Sequence, residues 1–148
     1  MNLNSSTISI HIERCKNNNE RTQVAYFLQP VNETLLGDYS VYVRSPIDLS
    51  TIKYKLDGTI STIPKIADAI NRNAPRYTKF GEFIADLRLV FANALKYNKA
   101  HLHSDSTGTS QKVYDAALAL QEKLEGLLNL FSVHLCDRIL RNNIILKG

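Results

Sequence analysis

Apolar residues recur at every third or fourth position through the second half of the chain. The set Phe80, Phe83, Ile84, Leu87, Val90, Phe91, Ala94 and Leu95 keeps i, i+3, i+4, i+7 spacing for roughly four turns. That spacing lays one apolar stripe along a helix and predicts an amphipathic core helix over 80–98. A longer set, Val113, Ala116, Ala117, Leu120, Leu124, Leu127, Leu128, Phe131 and Leu135, predicts a second helix lying against the first, with Thr109 or Ser110 as its N-cap. Ahead of both, Asp48 can cap a short helix over LSTIKYKLD (49–57), because its side chain accepts from amides two and three residues on, and Gly58 supplies a left-handed stop. The residue before Pro46 is held extended, which defines where that helix can start. Near the N-terminus Ile8, Ile12 and Cys15 share one face of a further helix that the asparagine run 17–19 weakens and that 24–28 can extend. Pro64 at an early helical position, with Ile63, Ile66, Ala67 and Ile70 at helical spacing, predicts an extra turn over 64–71.

Strand patterning is confined to Tyr39-Ser-Val-Tyr-Val, an alternation too isolated to build a sheet. The fold class is therefore all-α, with four helices in one bundle and a helical insertion between the second and third. Residues 29–45 form an irregular connection far longer than the two to eight residues that usually join bundle helices. It carries Pro30, Val31, Leu35, Leu36, Gly37, Tyr39, Tyr42 and Val43, and so should fold onto the bundle, where long ordered loops tend to carry function. The helix over 80–98 ends in Tyr97-Asn98 as its stripe runs out. An asparagine there is most simply a C-terminal cap, yet beside aromatic walls its carboxamide can donate to a carbonyl ligand.

With 44% hydrophobic residues in 148, the chain reads as one domain, 1–148, able to bury its own core. The net charge of +4 is dispersed, with no run of five basic residues, and only weakly suggests nucleic-acid contact. Cys15 and Cys136 are far apart and form no CxxC, which argues against a disulfide framework or a zinc site and for a reducing compartment. The polar start and the lack of a long apolar run predict neither a signal peptide nor a membrane span, and hence a soluble intracellular protein. His101 and His103 are a weak metal pair and read as solvated loop histidines. Asp86, with Arg88 close by, reads as a solvated or capping carboxylate. Ser110, His134 and Asp137 have no nucleophile turn, and no glycine-rich phosphate loop occurs. No enzyme and no cofactor is expected.

The segments YFLQPV (26–31), GDYSVYVRSPIDLSTIKYKL (37–56), YTKFGEFIADLRLVFANALKYN (77–98) and VYDAALALQEKL (113–124) resemble a bromodomain in order and spacing, over roughly residues 5–135. The most specific parts are Pro-Ile-Asp-Leu (46–49), the Asp86 and Asn93 spacing, and the closing Tyr97-Asn98 pair. The resemblance implies a left-handed four-helix bundle that reads N-acetyl-lysine, with the mouth made by the long loop after the first helix and the loop after Asn98. By motif, Asn98 would donate to the acetyl carbonyl, and Tyr39, seven residues before Pro46, would hold a bridging water. Phe27 and Val31 would line the acetyl group and stem, Val113 would stand as gatekeeper, Leu36 would complete the wall, and Tyr97 would support the loop.

The chain departs from the family pattern in three places. Ala25-Tyr26-Phe27 stands where many members carry Trp-Pro-Phe, and the sequence has no Trp. Residues 59–76 form a longer connection than usual, and so does the loop 99–108. Residues 136–148 read as a helical extension or tail. The implied partners are acetylated histones or other acetylated proteins, with further chromatin proteins, in the nucleus and away from membranes. The competing reading is a helical scaffold with a degenerate pocket, contacting a partner through Ile139, Leu140, Ile144 and Ile145.

Overall fold

A computed structural model describes residues 18–145, which form six helices with no strand among them. They are α1 (Asn18–Ala25), α2 (Tyr39–Tyr42), α3 (Leu49–Asp57), α4 (Pro64–Ala69), α5 (Phe80–His101) and α6 (Thr109–Ile145). The fold is all-α, as the periodicity predicts. Four helices are joined by two short pieces, the single turn α2 in the long loop and the insertion helix α4. Ile8, Ile12 and Cys15 lie outside the described residues. Within the described part of the asparagine run, Asn18 and Asn19 are helical, and α1 ends at Ala25, ahead of Phe27 and Leu28.

The starts and stops follow local chemistry. Asp48 has extended backbone, and its carboxylate accepts the Thr51 amide at 3.0 Å and the Thr51 hydroxyl at 2.6 Å, so the first turn of α3 is closed from inside the protein. Gly58 ends α3 at φ 77, donating its amide to the Tyr54 carbonyl at 2.8 Å. Pro64 opens α4, which buries Ile66, with Ile70 buried just past its end. At the start of α5, Glu82 reaches back to accept the amides of Thr78 and Lys79 at 3.0 and 3.2 Å. The start of α6 differs from expectation. Neither Thr109 nor Ser110 caps it; Asp105 accepts the Ser110 amide at 2.6 Å, and Gly108 turns the chain at φ 71. A carboxylate five residues upstream thus fills the place that a hydroxyl at the boundary was expected to fill.

Helix α5 is the centre of the molecule and touches α2, α3 and α6. Its stripe of Phe83, Ile84, Leu87, Val90, Phe91 and Ala94 joins Val24, Phe27, Leu49, Ile52, Ala116, Ala117 and Leu124 in the main core. Helices α5 and α6 run antiparallel. Phe80 meets Phe131 at 5.7 Å near one end, Arg88 pairs with Glu125 midway, and Asn98 and Val113 share a cavity at the other end. This register explains why the apolar pattern of α6 outruns its burial: past Phe131 no residue of α5 remains to cover it, and Leu135 is exposed. Phe80, counted with the stripe, is half exposed at that same edge.

Two features near the loops go beyond the expectations. The alternation Tyr39-Ser-Val-Tyr-Val builds no sheet, as expected, but residues 39–42 make one helical turn within the irregular connection, with Tyr39 and Tyr42 packed edge-on against Tyr97 at 5.0 and 5.8 Å. Helix α5 does not stop at Asn98 but continues through His101, so residues 99–101 leave the predicted loop. The insertion 59–76 returns to α3: Tyr77 donates its amide to the Lys55 carbonyl, Arg76 donates to the carbonyls of Lys55 and Leu56, and Tyr54 donates to the Arg72 carbonyl. Asp86 is not solvated. It accepts from Lys55 and, at 2.6 Å, from the Tyr77 hydroxyl, tying α5 to α3 and to the end of the insertion.

Candidate functional site

The two ends of the long loop are fixed to the bundle, and this creates a space between them. After α1 the chain turns, and the Phe27 carbonyl accepts the Leu49 amide at 2.9 Å, which holds the turn against the start of α3. Phe27 itself packs edge-on against Phe91 at 5.4 Å. At the far end Asn93 of α5, buried, donates to the Ser45 carbonyl at 2.9 Å. Between these anchors a second apolar cluster of Tyr39, Val43 and Tyr97, with Val31 and Tyr42 against it, seats the loop on the end of α5.

The result is a cavity of about 460 Å³ bounded by the loop, α5 and the start of α6. Phe27, Val31, Leu36, Tyr39, Tyr97, Asn98 and Val113 all line it, so the seven residues singled out in the sequence are brought to one place. Leu36 is the most exposed of them and stands at the rim; Val31 and Val113 are half-buried; the other four are buried. Ile47, Val90 and Ala94 complete the apolar wall. Val90 and Ala94 precede Asn98 by two turns and one turn on the same face of α5, a signal that periodicity carried but that read only as core.

Asn98 is buried, and its side-chain nitrogen donates to the Ala94 carbonyl at 2.8 Å. A carboxamide nitrogen carries two hydrogens. One fixes the orientation of the group against its own helix, and no partner among the described residues takes the other. Burial, and then Glu33, raise the ionisation of Tyr39 above its ordinary value, so it stays a neutral phenol. Burial and the hydrogen bond to Asp38 push Tyr97 up to about 12, and its hydroxyl donates to Asp38 at 2.9 Å.

The acidic groups around the cavity are committed elsewhere. Asp48 is held by Thr51, although burial raises its carboxyl above the ordinary range. Asp105 accepts from the Thr107 hydroxyl and from the amides of Ser110 and Thr107, which hold its carboxyl well below the usual range. His101 is the main departure from the sequence reading. It is not a solvated loop histidine but a half-buried helical residue bonded to Tyr97 and Asp38. Its partner Asp38 lies 63 residues away in sequence, and no local pattern marks that pairing. Among the described residues, no three His, Cys, Asp or Glu side chains gather as a metal site, and no helix is long and apolar enough to cross a membrane.

Chemically the site is a largely apolar slot with a directional N–H donor and three phenols, those of Tyr26, Tyr39 and Tyr97. It suits a neutral ligand that combines an aliphatic stem with a carbonyl. A second, more apolar cavity of about 310 Å³ lies between α3, α4 and residues 59–63; it was not foreseen from the sequence.

Comparison with known proteins places these residues in context. A family model described as Bromodomain matches residues 12–104, more than half of the chain. The transcription factor GTE1 of Arabidopsis thaliana is 34% identical over 101 residues, which is 67% of this chain and 20% of that protein. The histone acetyltransferase GCN5 of Debaryomyces hansenii is 33% identical over 72 residues, 49% of this chain and 12% of that protein. The chain therefore spans a minor part of the length of either relative.

Proposed function

This chain belongs to the bromodomain family, whose members are generally acetyl-lysine readers, and from that premise we propose that the 460 Å³ cavity binds N-acetyl-lysine. The observation that carries the reading is Asn98, buried in the cavity wall with one amide hydrogen tied to Ala94 and the second left for an acceptor. The acetyl carbonyl takes that hydrogen, Tyr39 holds a water that bridges to the same oxygen, and Phe27 and Val31 enclose the methyl and the stem. Val113 narrows the entrance, with Leu36 on the opposite rim, while Tyr97 supports the loop. Acetylation removes the lysine charge, so the modified side chain enters as a neutral amide. An unmodified ammonium is rejected because it would surrender its water to a slot whose central polar group is itself a donor, at a cost of several kcal/mol.

Both relatives are named for transcription or histone chemistry, which supports acetylated histone tails as the ligand and the nucleus as the place. The role that follows is non-catalytic: the domain recruits the protein that carries it to acetylated chromatin. A scaffold role is favoured by a different observation, the exposed Leu130 and Val133 on the far part of α6. Fluorescence anisotropy with matched histone-tail peptides, acetylated and unmodified, separates the two. Saturable binding of the acetylated peptide alone supports the reader, and equal or absent binding of both overturns it.

A further inference from the structure

The cavity mouth contains a contact that recognition of an acetyl group does not require. His101, the last residue of α5, lies one turn beyond Asn98, and each of its ring nitrogens is 2.8 Å from an oxygen. Nδ1 faces the Tyr97 carbonyl, and Nε2 faces a carboxylate oxygen of Asp38. Both oxygens only accept, so each nitrogen must bring its own hydrogen, and a neutral imidazole has just one to give. Only the imidazolium satisfies both contacts.

The surroundings agree with that charge. The ring lies at the C-terminal end of a 22-residue helix, where the backbone dipole favours a cation. It stacks on Tyr97 with centroids 4.2 Å apart and meets Tyr42 edge-on at 5.3 Å. The charged groups that act on it are Asp38, from the chain just ahead of α2, and Asp105, from the loop before α6. Tyr97 and Tyr42 bring phenols from α5 and α2. The Tyr97 carbonyl and then Asp38 raise the His101 ionisation above its ordinary 6.5.

Its two partners are the chain neighbours of the two central cavity residues: Asp38 precedes Tyr39, and Tyr97 precedes Asn98. We propose that His101 is a positioning residue of the pocket, which as an imidazolium clamps Asp38 to the end of α5 and thereby sets Tyr39 opposite Asn98. The ligand consequence rests on the acetyl-lysine reading; the clamp itself does not. Losing the proton leaves one hydrogen for two acceptors, so one tie opens. Asp38 still accepts the Tyr97 hydroxyl, and the loop is therefore loosened rather than released. The affected quantity is about one hydrogen bond, which corresponds to roughly three- to tenfold in affinity. Because the His101 ionisation is raised in the clamped state, the tie is complete below pH 6.5 and is lost as pH rises through the raised value. Affinity should fall from pH 6 toward alkaline pH.

The test has one arm without ligand and one with it. In nitrogen-15 imidazole spectra of the full chain, His101 should show both ring nitrogens protonated at about pH 6 and lose one proton as pH rises, and the amides of residues 38–43 should shift with the same midpoint. In the second arm a peptide carrying one N-acetyl-lysine is titrated at about pH 6 and pH 8.5 into wild type, His101→Gln and His103→Gln. Wild type and His103→Gln should weaken by roughly three- to tenfold with pH, while His101→Gln stays flat at the weaker level. The clamp is overturned if the 38–43 amides ignore His101, or if wild type binds with no more pH dependence than His101→Gln. Should no peptide bind at either pH while those amides follow His101, the clamp stands and the acetyl-lysine reading falls.

Discussion

Replacing Asn98 by alanine should separate recognition from stability. In the free protein the Asn98 side chain makes one internal hydrogen bond, to the Ala94 carbonyl at 2.8 Å. That carbonyl also stands where the helix ladder places the Asn98 amide, so truncation leaves no buried acceptor empty. The lost bond is worth about 0.5–1 kcal/mol, and alanine returns roughly 0.6 kcal/mol of helix propensity. The two nearly cancel, and urea unfolding should place the variant within about 1 kcal/mol of wild type with an unchanged m value. Binding has no such offset. An acetyl carbonyl entering the slot would be stripped of water and meet no donor, at a cost of about 1–3 kcal/mol, or roughly 5- to 150-fold in Kd. Calorimetric titration with an acetylated peptide, run beside the urea curves, reads both quantities. Unchanged affinity in a folded variant would refute the donor role, and a stability loss well beyond 2 kcal/mol would refute the local accounting.

Tyr77→Phe keeps the ring under the Lys55 ammonium, 4.4 Å away, and removes only the hydroxyl given to Asp86, so urea unfolding should show a loss of about 1 kcal/mol after allowance for partial exposure; no loss would mean that the hydroxyl contributes nothing. Gly58→Ala forces a side chain into φ 77 and sets a Cβ 2.6 Å from the Arg76 guanidinium, which must shift to make room. The left-handed conformation alone costs about 1–2 kcal/mol, and a variant as stable as wild type in urea would contradict it. Asp105→Asn weakens the start of α6 and should speed hydrogen exchange at the Ser110 and Thr107 amides. Because the Asp105 carboxyl is held below its ordinary 3.8, its contribution is full above that value and fades as pH falls through the depressed one. The exchange difference should therefore hold from pH 5 to 8 and narrow in acid; a difference that persists in strong acid would show another cause.

What the sequence made legible divides by range. Helix α3 was readable at both ends because Asp48 and Gly58 act on residues within one turn. The same locality made α4 readable from Pro64. The turn at Tyr39–Tyr42 was not, because four residues cannot distinguish an alternation from a single helical turn, and packing on Tyr97 decides it. The extension of α5 to His101 and the capping by Asp105 were hidden for a similar reason, since the stabilising partners sit outside the window in which periodicity works. For the cavity, spacing alone marked Val90 and Ala94 as core. The grouping of Phe27, Val31, Leu36, Tyr39, Tyr97, Asn98 and Val113 came from motif resemblance, because no residue-level rule links a loop tyrosine to an asparagine so far along the chain.

The most direct measurement follows the Asn98 side-chain amide by nitrogen-15 NMR while an acetylated histone-tail peptide, and then its unmodified counterpart, is added. The account predicts that one of the two Asn98 amide protons, the one not held by Ala94, shifts saturably with the acetylated peptide and is still with the unmodified one. A well-dispersed spectrum in which that proton responds to neither peptide, or equally to both, would contradict it.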